Sequence, residues 1–184
     1  MAPERAWSYA LWLLGRQAYT ASELAERLAR RGLDPALCAE TVAQLQELRL
    51  LDDRSYAASY VRRRRDERGR LALRTELRRK GVAEALVEGV LAGDGDEPGL
   101  DDDQQLQAAA ALLAKHAWRF EGRPAAASTS GTGDPPTADP DPRAAALDRR
   151  RRRARAASFL ARRGFTSDVV SAALAHGFGE PDDD

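Results

Sequence analysis

Leu77-Arg78-Arg79-Lys80-Gly81-Val82 decides the fold, because the same succession of residue types occurs twice more, as Leu28-Ala29-Arg30-Arg31-Gly32-Leu33 and Leu160-Ala161-Arg162-Arg163-Gly164-Phe165. In each run a leucine stands four residues before a glycine, two cations stand directly before it and an apolar residue follows. The register persists beyond the runs: Leu37, Leu86 and Val169 lie five residues after their glycines, and Val42, Leu91 and Leu174 lie ten after. Glycine at such a point permits the left-handed turn that stops a helix, and the apolar residues after it pack a second helix against the first. One antiparallel helix pair would show a glycine stop and some leucines by itself. Three aligned copies mark an internal repeat.

Outward from these runs, apolar residues recur at spacings of three and four while strict alternation is nearly absent, which predicts helix rather than strand. Leu24, Ala25 and Leu28 form one stripe, opened by a capping-box spacing at Thr20 and Glu23; Asp34 followed by Pro35 opens the next helix. Ala83 stands in the cap-like position that Asp34 and Thr166 hold in the other copies. Each glycine-bounded pair is preceded by a further helical segment, Arg5 to Gln17, Asp53 to Arg68 and Asp101 to Phe120, with Asp53 and Asp101 expected as N-caps. The fold class expected is all-α, with three tandem three-helix (helix-turn-helix-like) repeats in an elongated arrangement. The first repeat covers 1–52, the second 53–93, an acidic linker 94–100 and the third 101–178, followed by an acidic tail at 179–184. The glycines are 49 and then 83 residues apart, so the third repeat carries 34 extra residues. The Ala/Ser/Gly/Pro-rich insertion at about 121–142 accounts for them, and its composition predicts disorder.

Charge is sharply patterned. The chain of 184 residues has 29 basic and 29 acidic side chains, yet residues 62–80 hold ten basic against three acidic, and 149–163 hold eight basic and none acidic. All the cations except Lys80 and Lys115 are arginine, the side chain that forks onto phosphates and carboxylates. The candidate partner- and DNA-binding residues are therefore Arg62, Arg63, Arg64, Arg65, Arg74, Arg78, Arg79 and Lys80, with Arg149, Arg150, Arg151, Arg152, Arg153, Arg162 and Arg163 in the later stretch. Runs as dense as Arg62 to Arg65 and Arg149 to Arg153 encircle a helix and repel one another, so an anionic partner would offset a real cost. A solvated face balanced by nearby acids is the plainer alternative.

Catalytic chemistry finds no foothold in the sequence. His116 and His176 have no nucleophile pattern near them, no glycine-rich phosphate loop is present, and Asp101 to Asp103 read as a solvated helix cap rather than a metal site. The lone Cys38 excludes a disulfide within the chain and reads as a buried apolar residue. Trp7, Trp12 and Trp118 read as core or interface anchors rather than base-stacking platforms. No cofactor or metal is expected, the chain is expected not to be an enzyme, and the short apolar run from Ala6 to Leu14 points to a cytoplasmic protein without a membrane span.

Leu51-Asp52-Asp53, Tyr56-Ala57-Ala58-Ser59-Tyr60-Val61, Gly69 and Glu76-Leu77-Arg78-Arg79-Lys80-Gly81-Val82 together resemble the central motif of the RecX family. The likeness extends upstream to Glu23-Leu24 and Arg30-Arg31-Gly32, and downstream to Phe159-Leu160-Ala161-Arg162-Arg163-Gly164-Phe165. The resemblance implies tandem three-helix repeats and a negative modulator of the RecA recombinase. Such a modulator would bind the RecA filament on single-stranded DNA and inhibit its ATPase, strand exchange and coprotease activities. Weak binding to DNA alone and a monomeric state go with that expectation. The long insertion in the third repeat departs from the family pattern. A helix-turn-helix DNA-binding regulator is the first alternative, since a helix pair joined at glycine and followed by basic residues also marks that class. A metal-dependent nuclease using Asp52 and Asp53 is the second.

Overall fold

The computed structural model describes residues 3–94, 98–120 and 142–178. Among them every regular element is helical: α1 (Pro3–Leu14), α2 (Ala21–Arg30), α3 (Pro35–Glu47), α4 (Asp53–Arg64), α5 (Arg70–Arg79), α6 (Glu84–Ala92), α7 (Asp102–Lys115), α8 (Pro142–Arg162) and α9 (Ser167–Phe178), with a single 3₁₀ turn at Ala117–Arg119. The repeat fold expected from the glycine runs is what the chain adopts. Most of the expected insertion, and the whole acidic tail, lie outside the described residues.

The repeated run is a helix-stop motif. Gly32, Gly81 and Gly164 have φ of 83°, 79° and 80°, the left-handed region in which a side chain is strained. The residue after each glycine donates its N–H back to the leucine before it: Leu33 to Leu28 at 3.3 Å, Val82 to Leu77 at 3.2 Å and Phe165 to Leu160 at 3.3 Å. The glycine N–H reaches the carbonyl three residues earlier, so each stop is a Schellman motif whose apolar pair is the leucine and the residue after glycine. That pairing explains the two apolar positions of the sequence repeat. Leu28, Leu77 and Leu160 are fully buried, and truncating any of them to alanine should cost about 2–5 kcal/mol.

Each helix triplet encloses its own apolar cluster, and the third helix of each packs on both others. Leu24, Leu28 and Leu45 centre the first cluster, Leu73, Leu77 and Leu91 the second, and Ala109, Phe159 and Leu160 the third. The chain forms two compact units: α1 to α6 with the residues through 101, and α7 to α9 with loop residues 66–69. Leu100, expected in a linker, is 2 % exposed and belongs to the second cluster, with its N–H on the Leu91 carbonyl and its own carbonyl accepting from Arg70.

Within the first unit, polar contacts join the two triplets. Thr20 caps α2 by accepting the Glu23 N–H at 3.1 Å, and its hydroxyl donates to the carbonyl of Lys80 at 2.6 Å, so a fully buried hydroxyl is satisfied on both sides. Gly81 lies so close to Ser22 that a Cβ added there would fall 2.2 Å from the serine Cβ. In the second unit, Gly69 of the 66–69 loop donates its N–H to the carbonyl of Arg163 at 2.9 Å, and a Cβ on Gly69 would meet the backbone of Gly164 at 2.3 Å.

Several local expectations need correction. The N-cap of α4 is Asp52, whose carboxylate accepts from the N–H groups of Arg54 and Ser55; the Ser55 hydroxyl and these amides hold it below the usual carboxylate range. Asp53, expected as that cap, accepts the N–H of Ala21 at 2.8 Å, so it caps α2 from the neighbouring triplet. The leading helices are also shorter than expected. α1 stops at Leu14 before Gly15, α4 stops at Arg64 because the chain turns through residues 65–67, and α7 stops at Lys115 before the 3₁₀ turn. Trp12 and Trp118, expected as anchors in a core or interface, are 52 % and 70 % exposed and so are not core residues, whereas Trp7 packs half-buried on the first cluster. Ala83 precedes α6 with no side-chain cap, as the sequence indicated.

The role of Asp53 makes a testable distinction. Burial lifts its carboxyl above the usual value, the Ala21 N–H pulls it down, and the charges of Asp52 and Glu23 raise it again. A carboxyl whose folded pKa is raised weakens the fold as pH rises through the ordinary and then the raised value. Asp53→Asn keeps an acceptor oxygen and removes the charge, so its stability at pH 7 should equal or exceed that of the unaltered chain. Asp53→Ala loses the cap and should cost about 1 kcal/mol in urea unfolding. Equal losses in both variants would mean that the charge, not the hydrogen bond, is what the site uses.

Candidate functional site

The triplet contacts within the first unit shape a groove of roughly 600 Å³ beside α2, α4 and the end of α5. Its walls carry Arg27, Arg30, Arg63, Arg79 and Lys80 against two acids, Glu23 and Glu26, with Tyr19 and Tyr56 beside them. Lys80 is fixed here: its Nζ donates to Glu23 Oε1 at 2.8 Å and lies 5.6 Å from the ring centres of both Tyr56 and Tyr60. The Glu23 hydrogen bond raises its pKa above the ordinary lysine value against the opposing effect of burial, which keeps it protonated. Arg30 is held by Glu26 at 3.4 Å, and Arg27 sits 4.9 Å over the Tyr19 ring. Cations therefore outnumber acids along the groove, and the tyrosines give it apolar walls.

The sequence-predicted cations divide by environment. Arg62, Arg63 and Arg64 form the last turn of α4 and Arg65 is its C-cap, where positive charge meets the negative end of the helix dipole. Arg63 faces the groove and Arg64 lies 5.2 Å over the Tyr60 ring. The Tyr60 hydroxyl donates to Glu76 at 2.7 Å, and burial, then that carboxylate, lifts its pKa. Arg74 and Arg78 turn instead to α6, donating to Glu88 at 2.8 Å and Glu84 at 3.2 Å, so they brace the second triplet. Arg79 joins Arg63 in the groove.

Arg149 to Arg153 continue α8 without a break, so the run encircles a helix as its density implies. Arg152 is anchored one turn back by Asp148 at 2.6 Å, while Arg149, Arg150 and Arg151 are exposed. Arg162 and Arg163 close the same helix and its stop, with the Arg163 guanidinium 3.8 Å from the Phe159 ring centre. The structure thus brings Arg63, Arg79 and Lys80 into one groove, places Arg74 and Arg78 in ion pairs, and puts the later cations on α8 and its stop.

Sequence reasoning missed Arg27, Arg30, Tyr19 and Tyr56. A signal was present: Glu23, Glu26, Arg27 and Arg30 fall at i, i+3, i+4 and i+7, a polar stripe opposite the buried face of α2. Among the described residues no three histidine, cysteine, aspartate or glutamate side chains gather as a metal site, and no helix is long and apolar enough to cross a membrane.

Three family models match the chain: RecX first three-helix domain at residues 6–45, second at 52–91 and third at 142–174. The third match contains α8 and α9, with which α7 shares a core. Regulatory protein RecX of Halorhodospira halophila is 34 % identical over 175 residues, covering 95 % of this chain and 89 % of that protein. Regulatory protein RecX of a Mycobacterium species (strain KMS) is 40 % identical over 91 residues, 48 % of this chain and 50 % of that protein. The crystal structure of RecX from Lactobacillus salivarius superposes with a TM-score of 0.70 at 20 % identity, covering 95 % of each chain, which is a likeness of fold.

Proposed function

The chain belongs to the RecX family of regulatory proteins, and on that premise we propose that it is a negative modulator of the RecA recombinase. It binds the RecA filament on single-stranded DNA and lowers ATP hydrolysis, strand exchange and coprotease activity, acting as a cytoplasmic monomer by binding rather than by catalysis. The observation that carries this reading is the groove of the first unit, where Arg27, Arg63 and Arg79 converge around tyrosine rings. Such a surface suits an anionic partner offering phosphates or carboxylates. The binding surface proposed comprises the groove cations and the exposed arginines of α8; Arg74 and Arg78 contribute by holding the second triplet together.

Co-sedimentation tests the partner. RecA filaments assembled on single-stranded DNA with a slowly hydrolysed nucleotide should carry the chain into the pellet, and bare DNA at the same moderate salt should carry far less. If the chain stays in the supernatant with filaments but protects one duplex sequence from cleavage, the helix-turn-helix regulator is the correct reading.

A further inference from the structure

The second unit carries a cationic groove in which Arg119, outside the charge runs of the sequence, joins Arg155 and Arg162 of the 149–163 stretch. This groove of roughly 410 Å³ is lined by Arg119, Arg155 and Arg162 together with Phe120, Ser158 and Phe159, and among the described residues no carboxylate lines it. The groove of the first unit, by contrast, contains Glu23 and Glu26. Arg119 comes from the 3₁₀ turn and Arg162 from the end of α8, so two separate elements direct cations toward one opening. Arg155 donates to the Phe120 carbonyl at 3.2 Å, which fixes its guanidinium at the rim.

Like charges crowd further at the edge of this groove. Arg163 packs on Phe159, and Arg119 lies 5.8 Å from the same ring. Burial and then the charges of Arg68 and Arg119 hold the Arg163 pKa below the usual arginine value, with Glu67 as the opposing acid and Arg162 adding to the repulsion. Guanidiniums gathered at mutual cost mark a place where a bound anion would relieve the repulsion. Beside them stands Trp118, 70 % exposed, with the Arg119 guanidinium 5.7 Å from its ring. An indole that exposed is paired with a cation and with little apolar surface.

We propose that this groove binds single-stranded nucleic acid, with backbone phosphates on Arg119, Arg155 and Arg162 and an unpaired base stacked on Trp118. The two halves of the site select the ligand class. An acidic peptide would satisfy the guanidiniums and leave the indole in water, and a duplex keeps its bases stacked inside. A single strand brings an anion and a flat ring together at every nucleotide. The proposal rests on the RecA reading only in supposing that single strands are where the chain works.

Indole emission of the full chain tests it, with a short oligothymidylate as the probe and no RecA present. In a Trp7→Phe, Trp12→Phe background whose helicity is checked by circular dichroism, Trp118 emission should be quenched saturably, with an apparent Kd that rises steeply with salt. In the unaltered background, Trp118→Phe should weaken binding of a labelled oligonucleotide about tenfold. Arg119→Glu with Arg162→Glu should weaken it further, and polyglutamate of matched charge should neither quench nor displace. Absence of quenching at low salt, or displacement by polyglutamate as effective as by oligothymidylate, would overturn the site, the latter in favour of an acidic polypeptide. Because RecA is absent, such a failure leaves the filament reading standing; normal oligonucleotide binding without filament co-sedimentation would count against that reading instead.

Discussion

Gly81→Val lowers the stability of the unit formed by α1 to α6 by about 3–5 kcal/mol, a large share of what a small unit possesses. Two causes add. The φ of 79° at Gly81 strains any side chain, and a β-branched one most. A Cβ at this position would also lie 2.2 Å from the Cβ and 2.4 Å from the Oγ of Ser22. Ser22 sits in the first turn of α2, so relief requires parting the two triplets, with loss of the Thr20 to Lys80 hydrogen bond and the Lys80 to Glu23 ion pair. Gly32 is the internal reference: its φ is 83°, but nothing lies within 4 Å of an added Cβ. Gly32→Ala should therefore cost only about 1–2 kcal/mol, the conformational penalty alone. Urea unfolding followed by circular dichroism gives both numbers. Equal losses for Gly32→Ala and Gly81→Ala would mean that the triplet junction is looser than described.

The same pair of glycines shows what can be read from a sequence and what cannot. The helix stops are legible because a left-handed backbone and its flanking apolar pair impose residue types at fixed spacing. Three copies of leucine, glycine and an apolar residue are that requirement written out. The collision with Ser22 is not legible, since it depends on a residue 59 positions away. Asp53 fails as an expected cap for the same reason: it lies one residue from the true cap, Asp52, and its own bond runs to Ala21 in another triplet. Local pattern identifies a capping residue but not which helix it serves.

Candidate site residues divide along similar lines. Density of arginine singled out Arg63 and Arg79, which line the groove, together with Arg74 and Arg78, whose partners Glu88 and Glu84 lie on the next helix. Counting charges along the chain cannot separate a cation that braces two helices from one that awaits a ligand. Trp118 is a further case. Apolar character predicts burial on average, and the 3₁₀ turn that presents this indole outward has no sequence signature comparable to a capping box.

Replacing Arg62 to Arg65 together by glutamate moves the local charge by eight units at one edge of the groove of the first unit. The apparent affinity for RecA filaments at low salt should fall on the order of a hundredfold, because attraction to phosphates or an acidic filament face becomes repulsion. Part of any loss could come from the fold, since four negative charges at the C-terminal end of α4 oppose its dipole and Arg64 leaves the Tyr60 ring. Glutamine at the same four positions removes charge without opposing the dipole, and its effect should be intermediate. Replacing Asp101 to Asp103, which sit at the start of α7 and are not among the groove residues, by asparagine serves as the control and should change inhibition little.

RecA's single-stranded-DNA-dependent ATP hydrolysis tests most directly whether the chain restrains RecA through a charged surface. Increasing amounts of the unaltered chain, added to RecA on single-stranded DNA, should depress turnover toward a low plateau. That suppression should weaken steeply as salt is raised, with the Arg62 to Arg65 reversal requiring far more protein and showing a shallower salt dependence. ATP turnover that stays constant through an excess of folded, unaltered chain at low salt would contradict the account.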